Sequence, residues 1–109
     1  MKPICEIDEF GTKKWYLNGE LHREDGPAIE WFDGEKEWYL NGKLHRVDGH
    51  AIEWSNGTKE WFLNDLRHRE DGPAFESFNG NKYWYYHGNH IDCKDLQEFL
   101  RMVKLMAFL

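Results

Sequence analysis

Cysteine is scarce in this chain of 109 residues: only Cys5 and Cys93 occur, far apart in sequence. Two such thiols cannot supply the disulfide framework of a small secreted domain, and both are read as reduced. Basic residues are also in deficit, 14 Lys and Arg against 20 Asp and Glu, for a formal net charge of −6. That balance argues against a nucleic-acid binder, which needs a basic patch to meet phosphate. No apolar run approaches the roughly 20 residues that span a bilayer. The opening Met1-Lys2-Pro3-Ile4-Cys5-Glu6 brings charge before any apolar stretch, so it does not read as a signal peptide. The expectation is a cytoplasmic chain without nucleic-acid or membrane partners. Its length suits one domain.

Signatures of catalysis are missing too. There is no glycine-rich phosphate loop, no G-x-S-x-G and no cysteine in a catalytic setting. The chain is read as a non-enzyme with no cofactor.

Aromatic residues are abundant, at 17%. Their positions are periodic: Trp15, Trp38, Trp61 and Trp84 recur every 23 residues. Gly11, Gly34, Gly57 and Gly80 keep the same step, as do Lys13, Lys36, Lys59 and Lys82. So do the pairs His22-Arg23, His45-Arg46 and His68-Arg69, and the pairs Asp25-Gly26, Asp48-Gly49 and Asp71-Gly72. The unit G-x-K-x-W-[YF]-L-N-G-x-L-H-R-x-D-G-P-A-[IF]-E runs about three and a half times over residues 11–88. A fixed period of this size marks a stacked array in which each unit is one supersecondary element.

Each unit offers two segments of strand character, Lys36–Leu40 and Ala51–Trp54 in the second copy. Short turns at Phe32-Asp33-Gly34, Ser55-Asn56-Gly57 and Phe78-Asn79-Gly80 suit three-residue hairpin loops with a left-handed glycine. That loop length sets Glu30 opposite Lys36, Glu53 opposite Lys59 and Glu76 opposite Lys82. A two-residue loop would instead oppose Glu30 to Glu37, which is repulsive. The longer connections, 18–26, 41–49 and 64–72, carry the H-R-x-D-G residues along the other edge. The predicted fold is mainly β: a single-layer antiparallel meander of about seven or eight strands over residues 1–90, with a C-terminal α-helix in 91–109. Leu96, Phe99, Leu100, Val103 and Met106 recur at helical spacing, with Asp92 the expected N-cap of a helix of 14–17 residues. This helix either caps the array or also makes a homodimer or partner contact.

The units resemble MORN repeats, and more closely the variant W-Y-x-N-G-x-x-H-R-x-D-G-P-A found in proteins of phages, giant viruses and some bacteria. The matching residues are Trp15-Tyr16-Leu17-Asn18-Gly19, His22-Arg23, Asp25-Gly26-Pro27-Ala28 and their equivalents in the next two copies. His50 in place of proline, Asp65 in place of a turn glycine and Arg67 in place of leucine depart from the pattern. The resemblance implies successive β-hairpins serving as a binding scaffold, here one that engages and inhibits a host protein such as a defence factor.

Three candidate chemistries remain. Equivalent histidines lie two strands apart, roughly 9–10 Å, too far for His22, His45 and His68 to share one metal ion, and no metal is assigned. The H-R-x-D elements are read mainly as loop architecture, with each Asp accepting turn N–H bonds and each Arg pairing with an acidic residue of the next repeat. Alternatively Arg23, Arg46 and Arg69 grip anionic groups on a protein partner. Partner contact is also expected of Trp31, Trp54 and Tyr85 on the faces, and of Phe99, Met102 and Phe108 on the helix. Two alternatives stand beside protein binding: an aromatic module for carbohydrate or choline, suggested by Lys82–Gly88, and a self-assembling scaffold.

Overall fold

The computed structural model describes residues 1–107, so Phe108 and Leu109 lie outside it. The chain is mainly β, with fourteen short antiparallel strands followed by one helix among the described residues. The strands are β1 (Ile4–Ile7), β2 (Lys13–Leu17), β3 (Glu20–Leu21), β4 (Ile29–Glu30), β5 (Lys36–Glu37), β6 (Tyr39–Leu40) and β7 (Lys43–Leu44). They continue as β8 (Ile52–Glu53), β9 (Lys59–Glu60), β10 (Phe62–Leu63), β11 (Leu66–Arg67), β12 (Phe75–Glu76), β13 (Lys82–Tyr86) and β14 (Asn89–Ile91). The helix α1 spans Leu96–Met106. The main sheet meanders in the order β1-β2-β4-β5-β8-β9-β12-β13-β14, and the molecule measures 47 × 32 × 17 Å, a plate one sheet thick.

Charge fixes the register. Lys13 faces Glu30, Glu30 faces Lys36, Lys36 faces Glu53, Glu53 faces Lys59, Lys59 faces Glu76 and Glu76 faces Lys82. Seven strands are thus crossed by one row of alternating sign, each pair worth about 0.2–1 kcal/mol over an uncharged pair. The three-residue turns are those expected. Trp31 N–H donates to the Glu35 carbonyl at 2.8 Å, and Gly34 N–H to the Trp31 carbonyl at 3.0 Å. Gly34 sits at φ 95°, where a side chain would be strained. The same turn joins β1 to β2, with Asp8 N–H donating to the Thr12 carbonyl at 3.1 Å. The sheet therefore begins at Ile4, ahead of the residues that carry the repeat signature.

Strand number differs from the expected seven or eight. Each stretch expected as one long connection holds a two-residue turn, a return strand and only then a loop. Asn18-Gly19, Asn41-Gly42, Asn64-Asp65 and His87-Gly88 all have both φ values positive, the type I′ geometry that Asn-Gly favours. In the two middle copies the long strand is also interrupted at Trp38 and Trp61, where the chain leaves the main sheet for the ribbons β6-β7 and β10-β11.

Strand alternation sorts the aromatics onto two faces. Trp15, Leu17, Trp84 and Tyr86 share one face with the H-R loops. Lys14, Tyr83 and Tyr85 share the other, where Lys14 Nζ lies 5.2 Å from the Trp31 ring. Buried apolar residues are few and central: Ala28, Ile29, Ala51, Ile52, Phe62, Ala74, Ile91 and Phe99.

The helix starts later than the sequence suggested. Asp95, not Asp92, is the N-cap; its carboxylate accepts the Glu98 N–H at 2.9 Å. Glu98 stands three residues on, as in a capping box. The helix is consequently 11 residues long rather than 14–17. It lies over the end of the sheet, and Phe99, at 0% exposure, is driven onto Trp84 with ring centroids 5.0 Å apart.

Candidate binding surface

The H-R-x-D-G loops are built by a guanidinium turned inward. Arg23, Arg46 and Arg69 each lie over the tryptophan of their own repeat, 3.9, 3.8 and 4.0 Å from the rings of Trp15, Trp38 and Trp61. Nε donates to Asp25, Asp48 and Asp71 respectively, at 3.2, 3.1 and 2.9 Å. Nη1 donates to the carbonyls of Pro27, His50 and Pro73, at 3.1, 3.1 and 3.0 Å. The invariant position after the aspartate is glycine because the other side of the guanidinium is packed against it. A Cβ on Gly26, Gly49 or Gly72 would come within 2.8, 3.1 or 2.7 Å of the arginine Cζ. The arginines therefore pair within their own repeats, not with the next one: Arg69 Nη1 also donates to Glu76 at 3.4 Å, and Arg23 Nη1 lies 3.9 Å from Glu30. The aspartates accept guanidinium rather than turn N–H groups.

Histidine makes the link between repeats. The Nδ1 atoms of His22, His45 and His68 accept the backbone N–H of Asn41, Asn64 and His87, at 2.9, 3.0 and 2.8 Å. Each histidine thus holds the left-handed turn of the following copy. Burial and then the neighbouring His87 depress the His68 imidazole, favouring the neutral form that such an acceptor requires. Among the described residues, no group of three or more His, Cys, Asp or Glu is placed to hold a metal ion.

The opposite face carries tryptophan–glutamate pairs. Trp31 Nε1 donates to Glu37, which also accepts the Tyr39 hydroxyl at 2.9 Å. Trp54 Nε1 donates to Glu60 at 2.7 Å, and Glu60, 3% exposed, takes two further bonds from Arg67. Beside Glu37, burial and then the Glu37 carboxylate push the Glu35 carboxyl up to about 7. Of the aromatics expected to meet a partner here, Trp54 is 40% exposed, whereas Trp31 and Tyr85 are half-buried. The Arg67 guanidinium stands 5.5 Å from the Tyr85 ring.

On the helix, Phe99 is wholly inward and Met102 half-buried, while Leu96, Leu100 and Leu105 are exposed. Phe108 falls outside the described residues. Phe99 was expected to touch a partner; it is instead an internal anchor. In the fourth copy Ile91 and Asp92 replace His-Arg, so Trp84 has no arginine, and Phe99 covers it instead.

Between successive H-R loops the first face is grooved. One groove of about 580 Å³ has Trp61 and Leu63 on its floor, Arg46–Gly49 along one wall and His68–Asp71 along the other. Its counterpart, about 440 Å³, is floored by Trp15 and Leu17, with Met1–Pro3 and His22–Asp25 as walls. The loop walls are acidic on their outer side, since Glu24, Asp25, Asp48, Glu70 and Asp71 project into solvent, while Lys2 lies on the opposite wall of the second groove. Sequence reasoning found the loop residues without finding these channels, which depend on stacking one loop beside the next.

Fold and surface together define a tandem β-hairpin array with an acidic, grooved face and a terminal helix. Compared with family models, characterised proteins and solved structures, the chain finds no match. No described helix is long and apolar enough to cross a membrane.

Proposed function

We propose that the chain is a non-enzymatic protein-binding module of the MORN-like kind, acting in the cytoplasm. The observation that carries this reading is the pair of grooves on one face, floored by Trp15 and by Trp61 and bordered by the acidic H-R-x-D-G loops. Such a surface combines rigid aromatic floors with a charged rim, the division of labour found in protein interfaces. The polar groups that could have served catalysis are already spent on one another: the arginines on aspartate and carbonyls, and the histidines on backbone N–H groups. The likeness of the repeat to phage and giant-virus proteins suggests a small accessory protein that blocks or redirects a host factor, a bacterial defence protein being one such target.

The test is a pull-down with the tagged chain from nuclease-treated bacterial lysate, beside a Val47→Lys control on the groove wall. One stoichiometric protein lost with the control supports the reading; a lane with bait alone removes it. Exposed Leu96 and Leu100, one helical turn apart, favour self-association through α1 as a second reading. Light scattering of Leu100→Glu against the unaltered chain separates the two.

A further inference from the structure

The main sheet ends at β1, and among the described residues no strand lies along its outer edge. Two bonds show which backbone groups that edge presents. Asp8 N–H donates to the Thr12 carbonyl, toward β2, whereas Trp15, the cross-strand partner of Cys5, turns its N–H away from β1 to the Ala28 carbonyl. Backbone groups alternate in direction along a strand, so Ile4 and Glu6 bond to β2 while the N–H and C=O of Cys5 and Ile7 point outward. The side chains are equally open. Ile4 and Ile7 are 70% and 63% exposed, against 5% and 7% for Ile29 and Ile52 inside the sheet. Exposed Phe10, in the turn that ends β1, adds to this apolar corner and leans on exposed Phe32, ring centroids 6.2 Å apart. Unused backbone bonds beside bare apolar side chains are what an added strand satisfies.

Cross-strand partners decide what that strand carries. Within the array Glu30, Glu53 and Glu76 each face a lysine on both sides. Glu6 faces Lys14 on one side only. A basic residue on its open side completes the pattern, and apolar residues opposite Ile4 and Ile7 cover them. An antiparallel segment therefore reads apolar–basic–any–apolar, from the residue opposite Ile7 to the residue opposite Ile4. A second copy of β1 fits poorly. Centred on Glu6 it opposes two like charges; centred on Cys5 or Ile4 it sets Pro3, which has no N–H, against Ile7 or Cys5.

We infer that the outer edge of β1 binds an extended, basic segment of a partner protein, which joins the sheet as an antiparallel strand. This rests on the protein-binding reading above and specifies the partner's chemistry. The segment's lysine or arginine lies across from Glu6, and its backbone exchanges bonds with Cys5 and Ile7. Pro3 sets where the pairing stops.

The probes are cyclic β-hairpin peptides whose free edge reads Val-Lys-Thr-Val, or Val-Glu-Thr-Val as the charge-reversed control. The hairpin holds the strand extended in advance, which lowers the entropic cost of docking. Each is titrated into the whole isotope-labelled chain, and amide exchange is followed by NMR. The lysine hairpin is expected to slow exchange at the Cys5 and Ile7 amides, with Ile4 and Glu6, already bonded to β2, unchanged. It should bind about fivefold tighter than the glutamate hairpin, and Glu6→Gln should erase that preference. Cys5→Pro removes an N–H that the fold does not use, as edge strands tolerate, and should abolish the protection at Ile7. No added protection at Cys5 and Ile7, or equal affinity of the two hairpins for the unaltered chain, would overturn the inference. So would a dimer by light scattering in which both amides are already protected without peptide, since the edge would then belong to a second copy. Those outcomes leave the broader reading to the lysate experiment, whose bait-only lane would remove it independently.

Discussion

Arg67 donates twice to Glu60, from Nε at 3.1 Å and from Nη2 at 2.9 Å, in the repeat where phenylalanine replaces a tyrosine. One copy earlier, Glu37 is served by the hydroxyl of Tyr39, and Leu44 stands where Arg67 does here. The two departures are therefore complementary: Phe62 removes a donor from the buried carboxylate, and Arg67 restores it. A carboxylate this deep needs such partners, because an unpaired buried charge is strongly destabilising.

Arg67→Leu alone is expected to lower stability by up to about 3–5 kcal/mol, the usual cost of stranding a buried charge, with Trp54 Nε1 still donating to Glu60. Adding Phe62→Tyr should recover most of that loss by giving Glu60 the hydroxyl that Glu37 receives from Tyr39. Urea denaturation of both single variants and the double variant measures the coupling; additive losses would mean that the hydroxyl does not reach.

Removing the inter-repeat acceptor is a test of a different bond. His45→Leu leaves the Asn64 N–H without its partner and is expected to cost about 0.5–1.5 kcal/mol, the net worth of a hydrogen bond whose donor can turn to water. Hydrogen exchange should accelerate first at the Asn64 amide and its turn, while the Asn41 amide, held by His22, keeps its protection.

Arg46 and Gly49 should behave as one unit. Arg46→Ala removes a cation–π contact and charge-assisted bonds to Asp48 and the His50 carbonyl, an expected loss of about 2–4 kcal/mol. Gly49→Ala puts a methyl 3.1 Å from the guanidinium carbon and must displace it. In the Arg46→Ala background the three atoms nearest that methyl are gone, so the double variant should be barely less stable than Arg46→Ala. A thermal-denaturation cycle reads this directly.

Glu35 gives a pH dependence of definite sign. Its carboxyl, ordinarily at 4.5, takes up its proton near 7 in the folded chain because of burial and then the adjacent Glu37. Between those values the folded chain holds a proton that the unfolded chain has lost, so this group makes stability fall as pH rises from 4.5 to 7. His68 acts oppositely: its imidazole is depressed below the usual 6.5, so its contribution is complete above 6.5 and is lost as pH falls below that value. Glu35→Gln should therefore raise the melting temperature at pH 8 relative to the unaltered chain, with little change at pH 4.5.

Phe99→Ala should release the helix, at an expected cost of about 3–5 kcal/mol. Loss of helical signal in circular dichroism and increased exposure of the Trp84 indole would follow. Leu96→Ser, on the exposed side, should leave both unchanged.

The sheet was legible because its register is written in charge. Opposing Glu30 to Lys36, Glu53 to Lys59 and Glu76 to Lys82 admits only one hairpin length, and the strands adopt it. The Asn-Gly turns carried an equally clear local signal. They were submerged in one long connection because the histidine and arginine following them drew the whole stretch into a single loop. The direction of the arginines was not legible. A guanidinium can reach an acid of its own repeat or of the next, and only the ring beneath it and the glycine beside it hold it within its own. The helix is capped three residues after the expected Asp92, at Asp95, which has a glutamate three residues beyond it at capping-box spacing. The grooves were hidden for a more general reason: they lie between one loop and the segment beside it, Arg46–Gly49 in one case and Met1–Pro3 in the other, and not within a repeat.

The histidine-to-turn bond has a bearing on how such a chain can change length. Each of the first three copies carries a histidine acceptor on one side and a turn N–H on the other, so a 23-residue unit duplicated in phase would find both its neighbours already equipped to splice to it. An insertion out of phase would break the splice on both sides. Growth and shrinkage by whole units is thereby the tolerated route. The last copy is the terminus of that process: with Ile91 and Asp92 in place of His-Arg, it receives a splice from His68 but has none to offer, and the chain turns away into its helix.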